Sequence, residues 1–416
     1  MKKGYTNSLR KEVLDRISHQ KELSDREVYR EIDSILLTRS HEEYSSLESM
    51  LKYREAVFDS IRRFGVLEPY LNDDQVTEIM IVGSGKIFIE RCGVIIRTDQ
   101  SFFDEEEVYR LIDQIVAPTN RMVNESRPVA DSRLPDGSRV HIVLPPVSLV
   151  GPVITIRKFR KGGMTIEDLI RYGEFPPELA PVLRCYVKGR YSILLSGATN
   201  SGKSSLLNAL GAYIGEKERI ITIEDSAELQ MFHIDNLVRL ETRDPNVEGE
   251  NEVTMEDLIK ASLRMRPDRI IVGEVRGAEA MAMLQALSTG HNGSFSSIHA
   301  NSCRDALRRL ETMVLMGVDM PLKAIQGLIG SAVDILIHLE RTANGERRLT
   351  EIVELVDFDG TDYQMNPLFG LRSDEGGTSV LSMIHDLSEG KKMVAAGIWN
   401  DYKRAVMHYQ SCYGRD

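Results

Sequence analysis

The sequence has few cysteines, and none of them is placed as metal or disulfide motifs require. Four cysteines occur among 416 residues (Cys92, Cys185, Cys303 and Cys412), and no two of them form a C-x-x-C pair. Structural zinc sites and disulfide frameworks usually depend on such closely spaced pairs. We therefore expect free thiols, in a protein that works in a reducing cytoplasm.

Long apolar runs are missing as well. No stretch of about 18 or more apolar residues occurs, so the sequence predicts no membrane-spanning helix. The amino-terminal residues carry two lysines but no apolar run behind them, which is unlike a secretory signal. We therefore expect any contact with a membrane to come through partner proteins.

An excess of positive charge is also lacking. The 52 lysines and arginines are outnumbered by 63 aspartates and glutamates, which gives a net charge of −11. Proteins whose main partner is nucleic acid usually carry a basic surface, so we expect no direct nucleic-acid partner. The hydrophobic content of 42% is ordinary for a globular protein, and the length fits two or three domains.

Three regions of different character follow one another from the amino terminus. Residues 1–60 carry charges of both signs with apolar residues at helical spacing, and predict a helical N-terminal segment. A solvated appendage and a docking surface both fit this pattern. Residues 61–157 predict a smaller α/β domain, and residues 158–164, with Gly162 and Gly163, predict a linker. The strands and the helix of the smaller domain are expected at 76–82, 86–90, 104–116 and 153–157.

Residues 165–355 predict a second α/β domain whose strands are buried on both faces. Near-continuous apolar runs alternate there with helical segments, which is typical of a mainly parallel sheet. The strands are expected at 191–196, 219–224, 269–275 and 294–299. Residues 335–339 and 349–355 predict a closing hairpin around Asn344-Gly345. Residues 356–416 are less regular and predict a C-terminal extension of unknown role.

A glycine-rich segment between a predicted strand and a predicted helix matches the pattern G-x-x-x-x-G-K-[ST] in full. Glycines let backbone N–H groups turn inward around phosphate oxygens, and the following helix adds a partial positive charge. We expect Lys203 to contact the β- and γ-phosphates of ATP and Ser204 to bind Mg²⁺. The predicted nucleotide-binding residues are Gly197, Ala198, Thr199, Asn200, Ser201, Gly202, Lys203, Ser204 and Ser205.

Two apolar strands end in carboxylates that belong to the same predicted sheet. Glu224 ends the strand at 219–224, and Glu274 lies near the end of the strand at 269–275. Open parallel sheets bind ligands at the carboxyl ends of their strands, so both side chains are candidates for phosphoryl-transfer chemistry. We predict that Glu274 joins Ser204 as a Mg²⁺ ligand and that Glu224 acts on the attacking water. Each carboxylate also fits a plainer role as the cap of a following helix.

Two histidines flank the strand predicted at 294–299. His291 and His299 are too far apart in sequence to share a metal, since helical metal sites use i and i+4. Strand polarity puts His291 at the entrance of the strand and His299 at its far end. We therefore predict contact with the γ-phosphate for His299, with a purely structural histidine as the alternative.

Four segments occur in an order that resembles the Walker A, Asp box, Walker B and His box of the type II/type IV secretion ATPases. They are 197–204, 221–225 (ITIED), 265–276 (MRPDRIIVGEVR) and 289–301. Within that superfamily, 133–140 (RLPDGSRV) and 237–243 (LVRLETR) most resemble the Tad/Flp pilus-assembly ATPases, which are CpaF-like. The resemblance covers about 60 to 355. It implies a RecA-like ATPase domain that uses ATP and Mg²⁺, a homo-hexamer, and an inner-membrane platform driven from the cytoplasm.

A ring of subunits leads to a prediction about arginines that act across an interface. Arg239 and Arg243 lie four residues apart on a predicted strand, so their side chains share one side of it. We predict that they stabilise transition-state charge in a neighbouring subunit, with surface ion pairs as the plainer alternative. The smaller domain offers further candidates, because the Gly162-Gly163 hinge would let it close over a neighbour's nucleotide. They are Arg127, Arg133, Arg139 and Arg157.

The predicted function is a cytoplasmic hexameric motor ATPase that powers pilin assembly or secretion through inner-membrane platform proteins. A conjugative type IV secretion ATPase is the alternative within the same superfamily. A nucleic-acid-dependent motor would share the same core, but the net charge of −11 disfavours it. A small-molecule kinase would need an acceptor pocket but no ring.

Overall fold

The computed structural model describes residues 3–17, 23–39, 46–91, 93–119, 122–159, 162–243, 245, 250–342, 344–373 and 379–413. It divides into two compact units, Met1–Lys161 and Gly162–Asp416. The boundary between the units falls inside the predicted linker at 158–164. Within the described ranges, no helix combines the length and the apolar character that crossing a membrane requires.

The first unit begins with three amphipathic helices. They are α1 (Lys3–Ile17), α2 (Asp25–Thr38) and α3 (Leu47–Arg62). Ser24 and Ser46 precede α2 and α3 as N-caps, a position that favours serine because its hydroxyl can accept from free backbone N–H groups. The apolar sides of the helices meet in a core of their own, which includes Val13, Ile32 and Phe58. The predicted helical N-terminal segment is confirmed.

A six-stranded antiparallel sheet and a long helix complete the first unit. Its elements are α4 (Glu68–Leu71), β1 (Val76–Val82), β2 (Lys86–Arg91), β3 (Val94–Arg97), α5 (Glu105–Val116), β4 (Val129–Arg133), β5 (Arg139–Val143) and β6 (Val153–Arg157). The strand order is β3-β2-β1-β6-β5-β4. Alternate residues of the strands, such as Ile79 and Ile154, share a buried core with the apolar side of α5. The predicted strands and helix of this unit are confirmed.

The second unit is built on a nine-stranded sheet in the order β15-β14-β13-β12-β7-β11-β10-β8-β9. Its strands are β7 (Ile193–Gly197), β8 (Ile220–Glu224), β9 (Leu237–Glu241), β10 (Arg269–Val275), β11 (Phe295–Ile298), β12 (Ile335–Arg341), β13 (Arg347–Phe358), β14 (Tyr363–Ser373) and β15 (Ser379–Met383). Six neighbouring strands are parallel to one another: β12, β7, β11, β10, β8 and β9. The pairs β12–β13, β13–β14 and β14–β15 are antiparallel. The predicted mainly parallel sheet is confirmed.

Helices cover both faces of this sheet. They are α6 (Ile166–Arg171), α7 (Ala180–Lys188), α8 (Lys203–Gly211), α9 (Met255–Ser262), α10 (Glu279–Ser288), α11 (Cys303–Gly317), α12 (Leu322–Ala332), α13 (Lys391–Ala395) and α14 (Trp399–Tyr413). One core joins α7, α8 and α14 to the sheet, and a second core joins α9 to α12 to it. Burial of the strands on both sides explains their near-continuous apolar sequences. Together with the first unit, this arrangement confirms the predicted fold class.

The C-terminal residues differ from the sequence-based expectation. The hairpin of β12 and β13 is confirmed, but it does not close the sheet, and the predicted boundary at 356 falls inside β13. Beyond it, β14 and β15 extend the sheet and α14 packs against it, so the expectation of a less regular end is wrong. Pro367 and Gly370 lie within β14 and weaken its sequence pattern, because proline cannot donate to a ladder and glycine packs no side chain.

Candidate nucleotide-binding site

The predicted phosphate loop joins β7 to α8 at the carboxyl end of the parallel strands. Gly197 has φ +154°, and a side chain there would collide with the Leu339 carbonyl and the Ser201 hydroxyl. Gly202 has φ +103° and is the N-cap of α8. Only glycine adopts such angles without strain, so the backbone of the loop requires both motif glycines.

Several free donors converge inside this loop. The Ser201 hydroxyl is buried and has no hydrogen-bond partner among the described residues. The helix α8 begins at Lys203, so its first backbone N–H groups have no acceptor within the helix. Backbone N–H groups at a helix N-terminus, together with the helix dipole, favour a bound anion. The residues of the loop therefore fit the phosphates of a nucleotide.

The side chain of Lys203 lies within the loop and is only 7% exposed. Its Nζ donates hydrogen bonds to the carbonyl oxygens of Gly197 at 2.8 Å and Ala198 at 3.0 Å. Burial lowers the pKa of Lys203, and the charge of Glu274 opposes this shift. A buried ammonium beside neutral carbonyls gains stability from an anionic partner, which a phosphate would supply.

His299 connects Lys203 to Glu274. It follows the end of β11, with Nδ1 3.3 Å from Lys203 Nζ and Nε2 2.6 Å from Glu274 Oε1. Burial and the neighbouring Lys203 lower the pKa of His299, so the ring is neutral near pH 7. A neutral ring can accept from Lys203 at Nδ1. Glu274 Oε1 is buried and has no hydrogen-bond partner among the described residues, so its short approach to His299 Nε2 is a contact without hydrogen-bond geometry. By contrast, His291 contacts the Ala286 carbonyl at 3.1 Å before the strand begins.

The contacts continue beyond Glu274 to residues that the sequence analysis did not choose. Arg276 Nη2 donates to Glu274 Oε2 at 3.0 Å, and Arg276 Nη1 lies 3.6 Å from Asp225. The hydrogen bond to Glu274 raises the pKa of Arg276. Residues two apart on an extended chain share a side, so the spacing of Glu274 and Arg276 was the available signal. We call the series Lys203, His299, Glu274, Arg276 and Asp225 the contact chain.

Glu224 lies at the end of β8, next to β10 in the sheet, but it is not part of the contact chain. Its Oε1 accepts from the backbone amides of Glu228 at 2.9 Å and Leu229 at 3.1 Å. The side chain is 5% exposed, and burial raises the pKa of Glu224 to about 7 against the effect of these amides. These contacts are those of a carboxylate that holds the irregular segment after its strand. The plainer role foreseen for Glu224, the cap of a following helix, is wrong, because the described residues 225–236 between β8 and β9 form no helix.

A second buried carboxylate, which sequence reasoning missed, lies under the phosphate loop. Glu174 is 3% exposed, and one of its carboxylate oxygens has no partner among the described residues. A side chain on Gly202 would come within 3.3 Å of Glu174 and of Arg347. Arg347 Nε donates to the Asn200 carbonyl in the loop at 3.0 Å. Burial raises the pKa of Glu174 to about 7. No sequence motif marks this residue.

The two predicted interface arginines lie near one edge of the nine-stranded sheet. Arg239 is exposed on the edge strand β9, with its guanidinium 5.6 Å from the centre of the Phe232 ring. The prediction that both arginines lie on one strand is wrong, because β9 ends at Glu241. Arg243 instead forms an isolated bridge with Val253, and its Nε donates to the Asn251 carbonyl at 2.7 Å.

Three of the predicted arginines in the first unit form a row. Arg133 on β4 is the register partner of Arg139 on β5, which is in turn the partner of Arg157 on β6. Their neighbours Val140 and Ile156 point into the core, so the row lies on the opposite face of the sheet. Arg127 precedes β4 and is exposed.

A parallel sheet covered on both faces, with a glycine-rich phosphate loop at its carboxyl edge, defines a protein of the P-loop class. Residues 61–366 match the family described as type II/IV secretion system protein. The chain belongs to that family.

Related chains match over most of their length. A Mycobacterium tuberculosis protein assigned provisionally to conjugal transfer is 34% identical over 329 residues, which cover 78% of this chain and 92% of that protein. The conjugal transfer protein TrbB of Rhizobium radiobacter is 34% identical over 299 residues, which cover 71% of this chain and 88% of TrbB. The crystal structure of the pilus retraction motor PilT with bound ADP has a TM-score of 0.51 at 16% identity, over 84% of this chain and 89% of PilT. That likeness concerns the fold.

Proposed function

We propose that this chain is a motor ATPase that hydrolyses ATP to drive a secretion or pilus-assembly system through inner-membrane platform proteins. One observation carries the proposal: the contact chain joins the phosphate-loop lysine, through His299, to a carboxylate at the end of a central strand. An acid and a base beside the phosphate loop support phosphoryl-transfer chemistry there. Membership of a secretion-system family then suggests what the released energy drives.

The proposed roles follow from position and chemistry. Residues 197–205 would hold the phosphates of ATP, with Lys203 on the β- and γ-phosphates and His299 near the γ-phosphate. Ser204, which is exposed at the start of α8, and Glu274 would hold Mg²⁺, since hard cations prefer oxygen ligands. When bound, the ion would neutralise charge on the phosphates. The predicted action of Glu224 on the attacking water stays a prediction, which its bonds to Glu228 and Leu229 do not favour.

We also propose a homo-hexamer in which exposed arginines act on a neighbour's nucleotide. Arg239 and Arg243 are both exposed, and the side chain of Arg243 donates to the backbone carbonyl of Asn251. An arginine supplied from another subunit can add about 10³–10⁵ in rate to phosphoryl transfer. The arginine row of the first unit offers the same chemistry on a second surface.

Two systems are candidates for what the motor drives. The segments RLPDGSRV and LVRLETR favour a Tad/Flp pilus-assembly ATPase, and the two conjugal-transfer relatives favour a conjugative type IV secretion ATPase. Deletion of the gene separates them: loss of pili with normal DNA transfer supports the first, and loss of transfer with normal pili supports the second.

Mixed rings test the motor and its ring together. We expect Lys203→Ala and Arg243→Ala each to be inactive, and rings co-assembled from the two to regain part of the activity. Some interfaces in such rings would pair an intact loop with an intact arginine. Rings of Lys203→Ala with the double variant Lys203→Ala/Arg243→Ala contain no intact loop and serve as the control. No recovery in rings of verified mixed composition, or full activity of a monomer, would contradict the proposal.

A further inference from the structure

Three side chains with metal-ligand chemistry meet where the C-terminal helix packs on the start of α7. They are Glu178, His408 and Cys412, and one donor atom from each lies within 4.8 Å of the others. Glu178 belongs to the 3-10 turn Pro177–Leu179 that leads into α7, whereas His408 and Cys412 belong to α14. None of the three belongs to the contact chain or to the phosphate loop.

Their spacing and chemistry suit a transition-metal ion. His408 and Cys412 are four residues apart on one helix, so their side chains lie on the same face, one turn apart. Thiolate, imidazole and carboxylate are the three side-chain ligands that Zn²⁺ uses, with bonds of roughly 2.0–2.3 Å. Such bonds put donor atoms roughly 3.5 Å apart in a tetrahedral site. Side-chain rotations that move the donor atoms by about an ångström would therefore bring all three to bonding distance of one ion.

We propose that Glu178, His408 and Cys412 bind a divalent ion of borderline softness, with Zn²⁺ as the preferred metal and water in the fourth position. A thiolate and a carboxylate bring two negative charges, which the ion neutralises. Tyr413 donates its hydroxyl to Glu178 Oε2 at 2.9 Å, which orients the carboxylate and leaves the other oxygen for the metal. His408 and Cys412 are exposed, so the ion reaches them from solvent.

The site would fasten the C-terminal helix to the segment that leads through α7 toward β7 and the phosphate loop. Tyr402 and Tyr409 of α14 already share a buried core with α7. The proposal runs against the sequence-based expectation that the cysteines form no zinc site. That expectation considered only cysteine pairs, whereas this site takes one cysteine and a glutamate from a distant part of the chain.

Cobalt titration of the full-length, metal-free protein under reducing, anaerobic conditions tests the site, because a thiolate ligand gives Co²⁺ a near-ultraviolet charge-transfer band. We expect one Co²⁺ per chain with this band, bleached by Zn²⁺, and no band in Cys412→Ser. Tyr413→Phe removes a hydrogen-bond partner of a ligand and should weaken Co²⁺ binding roughly 10–100-fold. His408→Gln removes a ligand itself and should weaken Co²⁺ binding by more than this. His385→Gln, at another exposed histidine, and Ser204→Ala, in the phosphate loop, should leave the band unchanged.

Thermal unfolding supplies a readout that does not depend on the cobalt spectrum. Zn²⁺ should raise the Tm of the wild-type chain and leave the Tm of Cys412→Ser unchanged, because a ligand stabilises only the state that binds it. The proposal is wrong if the wild-type chain shows no thiolate–cobalt band, or if the band persists in Cys412→Ser. An equal rise in Tm for both proteins would likewise assign the zinc effect to other residues.

Discussion

The ends of β8 and β10 lie side by side in one sheet, but their carboxylates have opposite surroundings. Glu224 is 5% exposed and bonded to two backbone amides of its own following turn. Glu274 has a side chain that is 20% exposed and lies between His299 and Arg276. The first carboxylate is a buried acid with a pKa raised to about 7, and the second is a partly buried acid paired with Arg276.

The comparison shows that a carboxylate at the end of an apolar strand is not by itself a catalytic group. Both strands satisfy the same sequence pattern, and both end at the edge where parallel sheets bind ligands. What separates them is the kind of partner: the segment after β8 folds back and donates its amides to Glu224, whereas Glu274 contacts the side chains of Arg276 and His299. Only Glu274 is linked, through His299, to the lysine of the phosphate loop.

The largest effect is expected at the lysine on which the contact chain begins. Lys203→Ala should abolish hydrolysis and weaken ATP binding, because the positive charge that Lys203 would bring to the β- and γ-phosphates is lost. Steady-state phosphate release and nucleotide binding measure the two effects. Lys260→Ala, at an exposed lysine paired with Glu256 on α9, is the matched control and should remain active. Hydrolysis near the wild-type rate in Lys203→Ala would contradict the phosphate-loop assignment.

The same substitution at the two strand ends sharpens the comparison directly. Glu274→Gln should lower kcat at least about 100-fold while MgATP still binds, which is the usual scale when an acid–base group is neutralised. Glu224→Gln should lose much less, because a glutamine oxygen in the place of Oε1 keeps both bonds, to Glu228 and Leu229. Single-turnover rates of the two variants at saturating ATP decide the matter. An equal or larger loss at Glu224 would return it to the role of acting on water.

A smaller loss is expected at the histidine between the loop and Glu274. His299→Ala removes an acceptor from Lys203 and a close contact of Glu274, but it removes no charge near pH 7, because burial lowers the pKa of His299. We expect roughly a tenfold fall in kcat, less than the factor of about 100 or more typical of a general acid–base group. His291→Ala, at the other end of the same strand, is the control and should stay within twofold of wild type. Equal losses in the two variants would remove His299 from the site.

Much of the site could be predicted from the sequence, since its signals are local. The phosphate loop, the strand that carries Glu274 and the polarity that places His299 near Lys203 each depend on a short segment. The carboxylate of Glu174 could not be predicted, because it reaches the loop from before α7 and belongs to no pattern. Strand β14 was missed since Pro367 and Gly370 interrupt its alternation, while its place in the sheet depends on pairing with β13.

The smallest expected effect concerns stability, and its sign follows from the raised pKa of Glu224. An acid whose pKa rises from 4.5 in the unfolded chain to about 7 in the folded one holds its proton longer when folded. Its favourable contribution to the free energy of unfolding is complete below pH 4.5, declines as the pH rises, and is lost above about pH 7. The total change is about 3 kcal/mol, at about 1.4 kcal/mol per pKa unit.

Glu224→Gln removes this titration while keeping both backbone hydrogen bonds. Relative to wild type, the free energy of unfolding of the variant should therefore rise between pH 5 and pH 7 by about 1–3 kcal/mol, which urea denaturation at several pH values measures. The pKa of Glu174 is also raised to about 7. The free energy of unfolding of Glu174→Gln, relative to wild type, should therefore also rise between pH 5 and pH 7. Glu256→Gln, at a half-exposed glutamate paired with Lys260, is the control. A constant difference between Glu224→Gln and wild type across this range would mean that Glu224 is charged in the folded protein, and the contrast with Glu274 would then rest on hydrogen bonding alone.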